Sequence, residues 1–214
     1  MKLYTFYRSS CAWRVRIALA FKNIPFEPVY VHLLRGGGEQ LSDGFAALNP
    51  LAQVPVLEVP SADGSVTRLT QSLAILEYLE ETHPTPSLLP KEPLLRAEAR
   101  RMAEVVNSGM QPFQNLALGR ALKQVNVDPA PITKAYLEQG LAALEGFAQA
   151  TAGRYLVGDA PSFADVCLVP QLLGVRRVGI DVSRYPTLAR VEALCREQPA
   201  FQAAAPEAQA DYES

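Results

Sequence analysis

Histidine, cysteine and long apolar runs are all scarce in this chain. Its three cysteines, Cys11, Cys167 and Cys195, are odd in number and widely spaced among 214 residues. They suit neither a disulfide framework nor a zinc cluster and read as reduced thiols. His32 and His83 stand alone, which leaves a histidine metal site or a catalytic triad without partners. No metal is expected. Neither charge is in surplus, since 20 Lys+Arg face 22 Asp+Glu for a net charge of −2. A nucleic acid or an anionic membrane therefore finds no electrostatic footprint here. Apolar runs are short and interrupted, so no segment reads as a membrane span. "MKLYTFY" at the start lacks an apolar signal region and a cleavage site, and the chain is expected to be cytoplasmic. What remains is an ordinary globular composition, 49% hydrophobic and 20% charged, long enough for one large domain or two small ones.

The chain changes character near its middle. "LYTFY", the helix-spaced "CAWRVRIALAFKN" and "FEPVYVHLL" give strand, helix and strand within about 30 residues, the size of one parallel crossover. A glycine-rich "RGGGEQ" and a short helical piece lead to "VPVLEVP" and "SVTRLT", two strands with Asp63-Gly64 between them as a hairpin signal. "QSLAILEYLEE" closes the half as an amphipathic helix. This order predicts an α/β, thioredoxin-like domain over residues 1–83. Residues 84–93, "PTPSLLPKEP", hold four prolines and predict a linker. Residues 94–214 predict an all-α domain, with a helix break at Pro112, a near capping box at Ser162-x-x-Asp165 and a disordered polar tail "EAQADYES".

Residues 7–19, "YRSSCAWRVRIAL", place two hydroxyls and a thiol in a row with no general base nearby. At a strand-to-helix turn, free backbone N–H groups and the positive end of the helix dipole favour an anion, and a hydroxyl there can donate to it. Ser10 equally suits a helix cap. Cys11 fits a small buried apolar residue or a nucleophile, but Arg14 three positions on rules out the CxxC of a dithiol exchanger. Trp13, Val15 and Ile17 read as core, and Arg14 and Arg16 as ion-pair partners. Val54-Pro55 reads as a strand start, and Gln71-Ser72 as a helix cap. Gln111 and Asn115 are four apart, on one face of any helix that continues past Pro112. Arg177 ends an apolar helix, where a cation suits the dipole.

Together these parts resemble a cytosolic glutathione transferase. "SSCAWRVRIAL" is similar to the signature of the zeta class, the maleylacetoacetate isomerase family, and "NPLAQVPVL", "QSLAILEYLEE", "GMQPFQNL", "VGDAPSFADVCLVPQ" and "IDVSRYPTL" agree in order. The likeness runs from about residue 3 to 205, departing at "RGGGEQL" and at Arg176, which doubles a single arginine. It implies glutathione as cofactor and a homodimer. It gives Ser9, beside Ser10 and Cys11, the task of holding the cofactor's sulfur as thiolate, with Ala12, Trp13 and Arg14 along the same stretch. Gln40, Val54, Gln71, Ser72, Gln111 and Asn115 are implied as further cofactor contacts, and Arg8 and Arg177 as grips on a small diacidic enone. The implied reaction is cis-trans isomerisation of maleylacetoacetate to fumarylacetoacetate in tyrosine and phenylalanine breakdown, by thiolate addition, bond rotation and elimination. A maleylpyruvate isomerase or a general zeta-like transferase would share this site, whereas a non-catalytic binding module would show it broken.

Overall fold

Strand β1 (Lys2–Thr5) shows the period-two burial of a strand with one face in a core, Leu3 and Thr5 being wholly buried. The computed structural model describes residues 1–213. Helix α1 (Ser10–Phe21) carries the chain over to β2 (Glu27–Tyr30), which pairs parallel to β1 with Lys2 opposite Glu27. Two 3-10 turns, Arg35–Gly37 and Glu39–Leu41, and the short α2 (Asp43–Ala46) fill the glycine-rich stretch. Strands β3 (Val56–Pro60) and β4 (Val66–Thr70) form the antiparallel hairpin that Asp63-Gly64 announces, with Gly64 at φ +83. β3 also runs antiparallel to β1, so the sheet order is β2-β1-β3-β4. Helix α3 (Ser72–Thr82) follows and buries Ile75, Leu76 and Leu79. Fold class is as expected, a thioredoxin-like α/β unit followed by helices.

The second unit, Ser87–Gln198, is helical. α4 (Pro93–Glu104) gives way to a π turn at Val105–Met110 and a 3-10 turn at Gln111–Gln114, where Pro112 falls. α5 (Leu116–Gln124), α6 (Pro129–Thr151), α7 (Phe163–Arg177) and α8 (Pro186–Arg196) complete it. The π turn presses on α6 at Gly140, where a Cβ would stand 2.3 Å from Met110 Cγ. Asp165 Oδ2 accepts from both the N–H and the hydroxyl of Ser162, completing the capping box.

Two differences from the sequence reading concern the chain's last part. The segment from Pro199 onward groups with Met1–Pro86 and not with the helices that the boundary at residue 94 gives it to. Its α9 (Pro199–Ala204) packs on α1. This explains why α1 is buried on every side, Arg14 and Arg16 included, where a two-sided helix is expected. Nor is the polar tail loose: Asp211, Tyr212 and Glu213 all make contacts with the first unit. Ser214 lies outside the described residues. Among the described residues no helix is long and apolar enough to cross a membrane, and no group of three His, Cys, Asp or Glu could hold a metal ion.

Candidate active site

Ser9 is the N-cap of α1. Its extended backbone (φ −71, ψ 113) leaves the helix free to start at Ser10, and its Oγ accepts the Ala12 N–H at 3.2 Å. A hydroxyl that accepts with its lone pair keeps its proton for donation. Ser9, Ser10 and Cys11 are half-buried, Arg8 is exposed, and Ala12 and Trp13 are buried. Arg8 has no ion pair among the described residues. Val54 packs in the same cluster as Tyr7 and Ala12, and the Val54-Pro55 bond is cis. Val54 precedes the β3 ladder, so its backbone polar groups are not committed to sheet pairing.

The start of α3 is built differently. Gln71 stands before it at φ 67 and ψ 112, a sparsely populated conformation for a side-chain-bearing residue. No side chain caps this helix and no acidic residue sits in its first turn. Its first N–H groups are therefore disposed toward an external anion. Ser72 is buried, and its Oγ accepts from Arg14 Nη1 at 3.1 Å. Arg14 thus anchors the α3 start from the core. Gln40 is 5% exposed; its Nε2 lies 3.4 Å from the Leu33 carbonyl oxygen, and its Oε1 is buried without a partner.

Arg16 corrects the expectation of an ion-pair partner. Its guanidinium donates to the carbonyls of Phe6, Tyr7 and Ala204 and to Thr5 Oγ1, at 2.9 to 3.1 Å. Burial lowers its pKa to about 10, and the charge of Asp211 is the largest influence opposing that. The cation fixes the backbone immediately before Arg8 and Ser9.

In the second unit, Gln111 and Asn115 do not share a helix face. Gln111 opens the 3-10 turn, while Asn115 has extended backbone and caps α5, its Oδ1 accepting from Ala117 N at 2.8 Å. Arg176 and Arg177 are both exposed in the last turn of α7, and Arg176 binds Glu192, which Arg196 also reaches.

Glutathione fits the first unit's features. A peptide with free carboxylates suits the uncapped α3 start, its N–H groups suit the unmet Gln40 acceptor, and its thiolate suits the Ser9 hydroxyl. Sequence reasoning missed the role of Arg16 and the uncapped state of α3; two arginines within an apolar run were a signal for a buried cation, but not for the partners that meet it.

Models of known protein families match most of the chain. The glutathione S-transferase N-terminal domain matches residues 8–82 and the C-terminal domain residues 114–199. Maleylacetoacetate isomerase of Rattus norvegicus is 46% identical over 209 residues, covering 98% of this chain and 94% of its own. The crystal structure of maleylacetoacetate isomerase from Anaeromyxobacter dehalogenans, with GSH bound in its active site, superposes with a TM-score of 0.90 at 47% identity, covering 99% of this chain and 97% of its own. A maleyl pyruvate isomerase described as a bacterial zeta-class glutathione S-transferase superposes at 0.91 with 40% identity over the whole of both chains. The chain belongs to the glutathione S-transferase family, in the zeta class alongside the maleylacetoacetate isomerases.

Proposed function

We infer that this chain is a glutathione-dependent cis-trans isomerase that converts maleylacetoacetate to fumarylacetoacetate. The observation that carries the reading is Ser9 at the start of α1, its oxygen occupied by the Ala12 N–H and its proton left to donate. When bound, glutathione supplies a sulfur nucleophile able to add reversibly to an activated double bond. Ser9 holds that sulfur in its ionised form by hydrogen bonding, aided by the α1 dipole; each unit of pKa depression is worth about 1.4 kcal/mol. Ser10 and Cys11 flank it, and Ala12 and Trp13 back it from the core. Gln71 and Ser72 present the N–H groups of α3 to a carboxylate, with Arg14 supporting Ser72 from behind. Val54 offers its backbone to the peptide, and Gln40 accepts from one of its N–H groups. Gln111 and Asn115 add polar contacts. Arg8 and Arg177 orient the substrate's carboxylates and offset negative charge as it develops. A cytoplasmic homodimer is the setting proposed with this activity, on the strength of family membership.

Maleylpyruvate isomerisation is the second reading, favoured by the full-length likeness to the maleyl pyruvate isomerase. Maleylacetone tests the first. Isomerisation should require glutathione without consuming it, fall about 100-fold in Ser9→Ala, and survive Cys11→Ala. Loss in Cys11→Ala with retention in Ser9→Ala would move the chemistry to the protein thiol. Turnover of maleylpyruvate in preference to maleylacetone would select the second reading.

A further inference from the structure

Residues 211–213 return to the first unit beside the turn that leads into Ser9. Asp211 Oδ2 accepts the Tyr7 N–H at 3.0 Å, and the Tyr7 carbonyl accepts from Arg16 at 3.0 Å, so one peptide unit on each side of Tyr7 is held by a charged group. Tyr212 packs edge-on against the Tyr7 ring, with centroids 5.5 Å apart, and the Tyr7 hydroxyl lies 3.3 Å from the Glu213 carbonyl oxygen. Glu213 then reaches the glycine-rich turns, where its Oε1 accepts from Arg35 Nη2 at 2.7 Å and its Oε2 lies 3.3 Å from His32 Nε2.

His32 is the hub of those turns. Its Nδ1 accepts the N–H groups of Leu34 and Arg35 at 3.2 and 2.7 Å, which leaves the ring proton on Nε2 to donate to Glu213. Its own N–H donates to Glu39 Oε2, and its carbonyl accepts from Glu39 N. Glu39 precedes Gln40. The same short tail therefore ties the segment that presents Ser9 to the segment that presents Gln40.

We propose that Asp211 and Glu213 are positioning residues: residues 211–213 form a strap that fixes the Tyr7–Ser9 turn and the 32–40 turns in one arrangement, and so sets the affinity for glutathione. The strap does not touch the reacting atoms. The inference rests on the glutathione reading of Ser9 and Gln40. Two observations make the strap more than a surface trace. Three contiguous residues contact two separate segments, Asp211 and Glu213 by hydrogen bonds and Tyr212 by ring packing, and the hydrogen bonds from His32 and Arg35 hold the Glu213 carboxyl below its ordinary range.

The test uses the full chain, Asp211→Ala, Glu213→Ala and a chain ending at Gln209. Hydrogen exchange is read at the Tyr7, Leu34 and Arg35 amides, and KM for glutathione is read separately from kcat. Each variant should raise exchange at one or both segments and raise KM for glutathione about tenfold, as expected for a lost hydrogen bond to a charged group. The rate at saturating glutathione should hold. Glu213→Gln, which keeps an acceptor for His32 but loses the charge facing Arg35, should fall between. Unchanged exchange overturns the strap. Raised exchange with unchanged KM overturns the positioning role, as does a lowered kcat with unchanged KM. Should the wild-type chain show no dependence on glutathione, the reading of the site fails, and exchange alone decides whether the strap exists.

Discussion

Gly38 sits at φ +119, and a Cβ built there would stand 2.6 Å from Gln40 Nε2. Its neighbours Gly36 and Gly37 also have positive φ but meet nothing, so Gly38 is the one glycine of the three that the Gln40 side chain needs. Gly38→Ala should cost about 1–3 kcal/mol in backbone strain and push the Gln40 carboxamide aside. Glutathione titration by calorimetry is expected to show weaker binding, while Gly36→Ala leaves the Gln40 side chain where it is. At this scale the sequence was legible where a residue's job is local. Ser9 caps the helix that follows it, and Ser162 and Asp165 form the capping box their spacing suggests. It was illegible where the job depends on distant chain. Arg16 looks like an ion-pair partner until Ala204, from far along the chain, supplies one of its acceptors. Gln111 and Asn115 look like one helix face until the π and 3-10 turns intervene. Spacing carries meaning only while the local period holds.

Helix α7 illustrates what a cap contributes. Asp165 is wholly buried, and its carboxylate accepts from Leu156 N, Ser162 N and Ser162 Oγ at 2.8 to 2.9 Å. Burial nevertheless outweighs those bonds and raises its pKa to about 6. The fold thus binds this proton more tightly than the unfolded chain does. The group's stabilising contribution is complete below about pH 4 and is lost as pH rises through the folded value near 6. Asp165→Ala strands buried donors and should cost about 2–4 kcal/mol in urea unfolding. Asp165→Asn does not titrate, so its deficit against wild type should shrink between pH 4.5 and 7; a constant deficit would contradict the shift. The order of strands and helices in the first unit was readable because Asp63-Gly64 and Pro84 to Pro93 punctuate the chain, and the capping box marked the start of α7. The π turn was not readable, since nothing in "VVNSGM" distinguishes it from a further turn of α4 before Gly140 comes into contact with Met110.

For the whole molecule the organising fact is that the first unit is discontinuous in sequence. Phe201 and Ala204 are 2% exposed, and α9 covers one side of α1. A chain ending at Gln198 loses that cover and one acceptor of Arg16 together. The first unit should be destabilised by at least about 3–5 kcal/mol, the range for emptying one buried Phe site. Trp13, the sole tryptophan, lies in α1 and reports this unit by fluorescence. Its urea midpoint should fall sharply, while far-ultraviolet dichroism still shows a transition from the helices of Ser87–Gln198. Coincident loss of both signals would mean that the units do not unfold separately. No pattern within residues 1–86 announces this dependence, because the residues that satisfy it come after a complete helical unit.

Synthesis on the ribosome gives that arrangement a further meaning. Every residue assigned to the cofactor and substrate, from Arg8 to Arg177, is joined to the chain before Pro199, yet Tyr7 and Arg16 still wait for their partners. A product cut short after the helices would carry the full set of reactive groups and none of the closure that steadies them. During synthesis the reactive groups therefore exist for a time without the segment that orders them, and the first unit gains its settled form only with the residues from Pro199 onward.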